Sequence, residues 1–121
     1  DEPFRSSAEE FDRRPLEKMV LGSFQGERRA MAESARLAPS SMNRQPVSLL
    51  ARDGRIHVYR KHVLLKNPVI SYAQCMDVGA AMAHLQVSAE ANGRRLAFTK
   101  QDPPPSWGNK IYQCTAVLDG E

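Results

Sequence analysis

Four uncharged side chains that can both donate and accept hydrogen bonds fall within one short stretch: Ser40, Ser41, Asn43 and Gln45, set between Pro39 and Pro46. Hydroxyls and amides in close succession can match the carbonyls, ring nitrogens and hydroxyls of a ligand without any ionised partner. The prolines fix φ at both ends and push the residues before them out of α space, so the array is stiff as well as polar. A flat heteroaromatic ligand or a polyhydroxylated chain suits it. An ordinary turn has the same composition, because Pro, Ser and Asn cluster there for local reasons and Ser40 or Ser41 can simply cap a helix. On residue types alone both readings stand.

Other reactive groups are spaced unfavourably. Asp77 and His84 lie seven positions apart, on one helical face but about 10 Å apart along the axis, too far for a direct acid–base pair. Local roles are expected for both: Asp77 complements the helix dipole near the first turns, and His84 is a buried, hydrogen-bonded histidine. Cys75 and Cys114 have no metal-ligand spacing and read as packing thiols. His57 sits on a strand pattern and is expected at the surface or half-buried. No side chain is assigned a catalytic role, and no metal site is expected.

The elements that must carry the polar stretch can be read from periodicity. Residues 1–14 are charged, with Phe4 and Phe11 as the large apolar groups, and form an arm that orders only by docking, with a mobile or domain-swapped start expected. The rest, 15–121, is read as one α+β domain. Pro15 suits the first turn of a short helix through Leu21, ended by Gly22. From Gln25 to Leu37 the apolar positions recur at three and four residues, which predicts an amphipathic helix that delivers the polar loop. Residues 47–52 and 55–60 flank Asp53-Gly54 and predict a hairpin. Leu96–Thr99 and Ile111–Leu118 read as two further strands, separated by a proline-rich loop in which Trp107 more often seals an apolar edge than stacks on a ligand.

The dominant helix is predicted from Tyr72 to Asn92, with Gly93 as its stop and a span of roughly 30 Å. Cys75, Met76, Val78, Gly79, Ala80, Ala81, Met82, Ala83, Leu85 and Val87 cover nearly its whole circumference. Burial on most sides is therefore expected, and a chain of 121 residues has little else to cover it, so a partner helix is implied at about 25 cal/mol per Å² of apolar surface. The plainer alternative is a helix covered by its own strands. The fold class that results is one antiparallel sheet with helices packed on it and the long helix at an interface.

Two of these segments carry a resemblance. The run Arg36-Leu-Ala-Pro-Ser-Ser-Met-Asn-Arg-Gln-Pro46 resembles the flavin-binding loop of the FMN-dependent nitroreductase family. Downstream, Asp77-Val-Gly-Ala-Ala-Met-Ala-His84 is similar to a helix that follows a β-hairpin in family members with an internal duplication, and Arg14-Pro-Leu-Glu-Lys18 to the connection opening their second half. The likeness covers about residues 13 to 100 and is to the C-terminal half of those proteins. It implies an antiparallel sheet flanked by helices, with a long central helix at a dimer or pseudo-dimer interface. It also implies FMN bound at that interface by Pro39, Ser40, Ser41, Asn43 and Gln45, NAD(P)H as electron donor, and a nitro compound or quinone as the small aromatic acceptor. Two departures accompany it. Val47 stands where the family usually has an aromatic residue, and nothing before residue 36 matches its phosphate-gripping Arg-x-Ser-x-Arg element.

Composition bounds the remaining classes. With 41% hydrophobic residues the chain can build one core, about half of a complete flavin-binding unit by the resemblance. A net charge of +3 and pI near 9.1 come from scattered pairs such as Arg28-Arg29 and Arg94-Arg95, without an interleaved aromatic run, which argues against nucleic acid. No apolar run of about 18 residues and no leader pattern occurs, so a soluble, cytoplasmic protein is expected. The start at Asp1 without Met fits processing, tag removal or a fragment of a longer chain. Two functions follow: a flavin-dependent, nitroreductase-like oxidoreductase that works as a homodimer or paired with another nitroreductase half, or a degenerate, non-catalytic half-domain that persists as a dimerisation or binding partner.

Overall fold

The computed structural model describes residues 13–40, 44–62 and 68–119. The expected N-terminal arm, apart from Arg13 and Arg14, lies outside the described residues. In chain order the elements are α1 (Leu16–Met19), β1 (Val20–Leu21), α2 (Glu27–Arg36), β2 (Val47–Arg52), β3 (Arg55–Arg60), α3 (Pro68–Ala91), β4 (Leu96–Thr99) and β5 (Ile111–Leu118). They form an α+β fold: a five-stranded sheet in the order β1-β2-β3-β5-β4, with helices packed against it.

The β2–β3 hairpin forms where Asp53-Gly54 demands it. Both residues have positive φ, 54° and 74°, the backbone that lets a two-residue turn follow the right-handed twist of its strands. From that turn the register runs Ala51 opposite Ile56 and Leu49 opposite Val58, and β5 continues it with Cys114 opposite Val58 and Ala116 opposite Ile56. These residues share one face of the sheet. They join Met31, Ala32 and Ala35 of α2 and Val78, Ala81, Leu85 and Ala89 of α3 in a single apolar core.

One edge of the sheet is not announced by the sequence pattern. The first helix stops at Met19, and Val20 turns extended at φ −117°, ψ 154°. Val20 and Leu21 then pair in parallel with Leu49 and Leu50, gaining ladder hydrogen bonds that a further helical turn would forgo. Gly22 follows at φ +97°, where a Cβ would lie 2.4 Å from the Ala51 carbonyl oxygen. Only glycine lets the chain pass the sheet this closely.

The opposite face of the sheet is covered as well. Ser48, Leu50, His57, Tyr59 and Thr115 are all buried there, beneath the proline-rich segment that precedes β5. The Tyr59 hydroxyl donates to the Pro105 carbonyl at 2.5 Å, and the Gln101 amide donates to the Tyr112 hydroxyl at 2.8 Å. Trp107 meets Tyr59 edge-on with ring centroids 5.4 Å apart, sealing an apolar edge as its sequence context predicts. His57 departs from expectation. It is 1% exposed, because this segment folds over its strand, and its Nδ1 lies 2.8 Å from the Thr115 hydroxyl.

Helix α3 begins four residues ahead of the predicted start and ends one residue before the predicted end. It packs most extensively on α2 and also touches β2, β3 and β4. One stripe, with Val78, Ala81, Leu85 and Ala89, is buried, whereas Val69, Tyr72, Met76 and Val87 on the helix are more than half exposed. Burial on most sides, expected from composition, is therefore not achieved by the described residues of one chain. Across the sheet's other end, Arg94 bonds Asp119 at 3.0 Å and Glu27 at 2.5 Å, tying β4 and β5 to the start of α2.

Candidate functional site

The polar loop leaves the C-terminal end of α2 and enters β2, so both its ends are anchored in the core: Ala38 and Val47 are buried. Val47 packs into the apolar core and also borders a small cavity behind the loop. Ser41 and Asn43 lie outside the described residues. Ser40 and Gln45 are brought together, with the Gln45 amide donating to the Ser40 hydroxyl oxygen at 3.0 Å. Gln45 holds φ 51°, a left-handed backbone that costs a non-glycine residue energy and must be held by its surroundings.

Those surroundings come from the segment just before α1. The Arg14 amide donates to the Gln45 side-chain oxygen at 2.6 Å, and the Arg14 guanidinium donates to the Val47 carbonyl. Arg36, from the last turn of α2, donates in turn to the Arg14 carbonyl at 3.3 Å while pairing with Glu33 at 3.1 Å. Burial of Arg14 lowers its pKa, since its charge is taken partly out of water. The sequence points to Ser40 and Gln45 but not to Arg14. That contact spans 31 positions, and nothing local announces it.

Hollows lie behind and in front of the loop. Behind it lies a cavity of about 20 Å³, lined by Arg14, Met19, Arg36, Gln45, Val47 and Ala81 among others, which is room for about one water and not for a ring. In front, a cleft of about 350 Å³ is lined by Pro39, Ser40, Ala73, Met76, Asp77 and Ala80. Its floor is the exposed side of α3. Small residues at 73 and 80 make it shallow and apolar, and Ser40 and Asp77 give it a polar edge. This fits one face of a flat aromatic system with a polar rim; among the described residues nothing lines the other face.

Asp77 corrects a sequence-based expectation. Because α3 starts at Pro68, Asp77 sits in the third turn, beyond the stretch where the dipole of the helix N-terminus acts. It is buried and lines both the cavity and the cleft. His84 is half-buried rather than buried, and its backbone carbonyl accepts from the Ser34 hydroxyl at 3.2 Å. Among the described residues no group of three or more His, Cys, Asp or Glu side chains is placed to hold a metal ion, and no helix is long and apolar enough to cross a membrane.

Residues 2–89 match the family model described as "Putative TM nitroreductase". A solved structure described as a "putative nitroreductase" from Thermotoga maritima superposes with a TM-score of 0.64 at 22% identity. The match covers 90% of this chain and 43% of that one, so the chain spans less than half the length of that protein. At this identity the likeness is one of fold. No curated protein matches the chain.

Proposed function

The chain belongs to the family described as "Putative TM nitroreductase", and from that premise we propose that it supplies one wall of an FMN site, completed by a second copy or by another nitroreductase half. Bound flavin would supply two-electron chemistry between NAD(P)H and a nitro compound or quinone. The chain's own residues hold and orient it. Pro39, Ser40, Ser41, Asn43 and Gln45 offer hydrogen bonds to its polar edge or sugar-alcohol chain, and Ala73, Met76 and Ala80 offer an apolar floor.

One observation carries the reading: the stiff polar loop borders a cleft whose floor is an apolar helix face left uncovered by the described residues. A ring lying there has one face on α3 and needs the other covered, which the partner provides. The Ser40 oxygen is engaged as an acceptor, so its O–H proton can still be donated to a ligand. No side chain is assigned a catalytic role, because positioning and water exclusion are what the site asks of the protein.

The test is direct. Purified full chain, alone and with FMN added, is examined for flavin absorbance near one equivalent, and Ala73→Phe is introduced to fill the cleft from a half-buried position. Binding by the parent chain and its loss in Ala73→Phe, with an unchanged melting temperature, is the expected pair of results. A colourless protein that takes up no FMN at any concentration or oligomeric state, alone or with another nitroreductase half supplied, defeats the flavin reading. The non-catalytic half-domain is then favoured, and two observations already lean that way: Ser40 and Gln45 use polar atoms internally, and the chain spans less than half of the solved relative.

A further inference from the structure

Tyr112 and Thr115 stand three positions apart on β5, a spacing that puts side chains on opposite faces of a regular strand. Here they share a face. The register against β3 slips beside Val58: Thr115 lies opposite His57 and Cys114 opposite Val58, but Tyr112 lies opposite Tyr59. Gln113 is thus the extra residue of a β-bulge, and the bulge turns Tyr112 toward the face that carries His57, Tyr59 and Thr115.

The result is a chain of hydrogen bonds with a direction. The Gln101 amide, in the proline-rich segment, can only donate, and it donates to the Tyr112 hydroxyl at 2.8 Å. That hydroxyl lies 2.5 Å from the Thr115 hydroxyl, which lies 2.8 Å from Nδ1 of His57. One arrangement gives every proton in the chain an acceptor: Tyr112 donates to Thr115, Thr115 donates to Nδ1, and the neutral imidazole carries its own proton on Nε2. A proton on Nδ1 reverses this order. Nδ1–H must then donate to Thr115 and Thr115 to Tyr112, so the Tyr112 oxygen meets two donors while its own proton has no partner among the described residues. Thr115 and His57 are sealed from water, whereas Gln101 and Tyr112 are half-buried. The bond between these last two is therefore the one that water can replace when the network is mismatched.

The surroundings of the imidazole set the direction with pH. Arg52 and Arg55 oppose its protonation, as burial does, while Asp53 and a backbone hydrogen bond at Arg52 favour it. From β2 it faces the apolar Leu50, and from β5 the hydroxyls of Thr115 and Tyr112. The proline-rich segment reaches this face through backbone atoms of Gln101 and Pro105. Its charged Lys100 and Asp102 are exposed, and Lys110 sits over the Trp107 ring. The neutral imidazole thus persists above about pH 6.5 and is lost as pH falls through a lower folded-state value.

We propose that His57, Thr115 and Tyr112 form an acid-released latch on the proline-rich segment: the neutral imidazole holds Gln101 down through the two hydroxyls, and proton uptake at Nδ1 frees the segment at its Gln101 end. Tyr59, which holds Pro105 and Trp107 through contacts that bypass the imidazole, is the hinge about which that end lifts. The latch lies on the sheet face opposite α3 and does not depend on the flavin reading.

The full chain is titrated from about pH 8 to about pH 4, across the range where histidine changes charge. The His57 ring signals, the exchange protection of the Gln101 and α3 amides, corrected for intrinsic rate, and Trp107 emission are followed together. In the parent, Gln101 protection should fall by about tenfold or more with the midpoint of the His57 ring, while α3 stays protected and Trp107 keeps its colour. Thr115→Val cuts the chain and should make Gln101 protection flat across that range, and Thr115→Ser, which keeps the hydroxyl, should restore the coupled fall. If Thr115→Val fails to fold, His57→Gln, whose amide takes up no proton here, should give the same flat profile. Gln101 protection that ignores the His57 midpoint overturns the latch. So does an equal fall in Thr115→Val or His57→Gln, and so does a fall shared with the α3 amides or with the Trp107 colour, which marks general acid unfolding.

Discussion

At the level of single residues, His57 carries a measurable consequence of burial. Desolvation lowers its pKa, and the positive charges of Arg52 and Arg55 push the same way, against a backbone hydrogen bond at Arg52 and the charge of Asp53. A base whose pKa is depressed on folding leaves stability intact above its unfolded value of about 6.5 and removes it as pH falls through the folded value. Each unit of depression is worth about 1.4 kcal/mol. Unfolding midpoints measured across mildly acid pH should therefore decline below about pH 6.5, and His57→Leu should flatten that part of the profile. A parent profile already flat there would show that the imidazole ionises equally well in both states. Gly22 gives a second residue-scale expectation. Gly22→Ala places a methyl against the Ala51 carbonyl at a positive φ, so a loss of about 2–4 kcal/mol is expected from chemical denaturation, whereas Gly79→Ala, in open space on α3, should be neutral or slightly stabilising.

At the level of elements, α3 holds the expectation that reaches furthest. Tyr72 is 71% exposed and Met76 62% exposed, on a helix whose other side is sealed into the core. Apolar surface of this kind stabilises association by about 25 cal/mol for each Å² removed from water. Sedimentation of the full chain should therefore show concentration-dependent self-association, or a stable complex when the other half of a nitroreductase-like protein is supplied. Tyr72→Glu with Met76→Glu should abolish either one without lowering the melting temperature, since neither side chain supports the monomer core. A parent chain that stays monomeric and refuses every such half would leave the helix face without a role in pairing. The loop behaves differently from the helix. Arg14, Gln45 and Ser40 form a chain of hydrogen bonds, so Gln45→Ala should cost about 1–2 kcal/mol of stability as well as flavin affinity, and the two effects must be read together.

At the level of the whole molecule, ligand linkage tests the site and the fold at once. FMN at about a hundredfold over its dissociation constant should stabilise the folded chain by about 2.7 kcal/mol, and a melting temperature indifferent to FMN would count against a site built on folded elements. Much of that fold was legible beforehand where the signal is local. Asp53-Gly54 marked the hairpin, and alternating or continuous apolar runs marked β4 and β5. The loop at 38–46 and the span of α3 were likewise marked by proline, glycine and periodicity. What stayed hidden depends on distant contacts. Val20 and Leu21 become a strand only because Leu49 and Leu50 present an open edge. His57 is buried only because residues some forty to fifty positions later fold over it, as Tyr59 shows through its bond to Pro105. Arg14 likewise joins segments that no periodicity links.

Trp107, the chain's single tryptophan, stands against Tyr59 with the Lys110 ammonium 5.1 Å from its ring centre. Its emission is thus a built-in optical probe, seated under the sheet rather than on the α3 side. Unfolding of the proline-rich cover should shift its colour before the helices melt, and movement of Lys110 off the ring should change its brightness while the colour stays put. One indole can in this way tell apart two events that a calorimeter would merge.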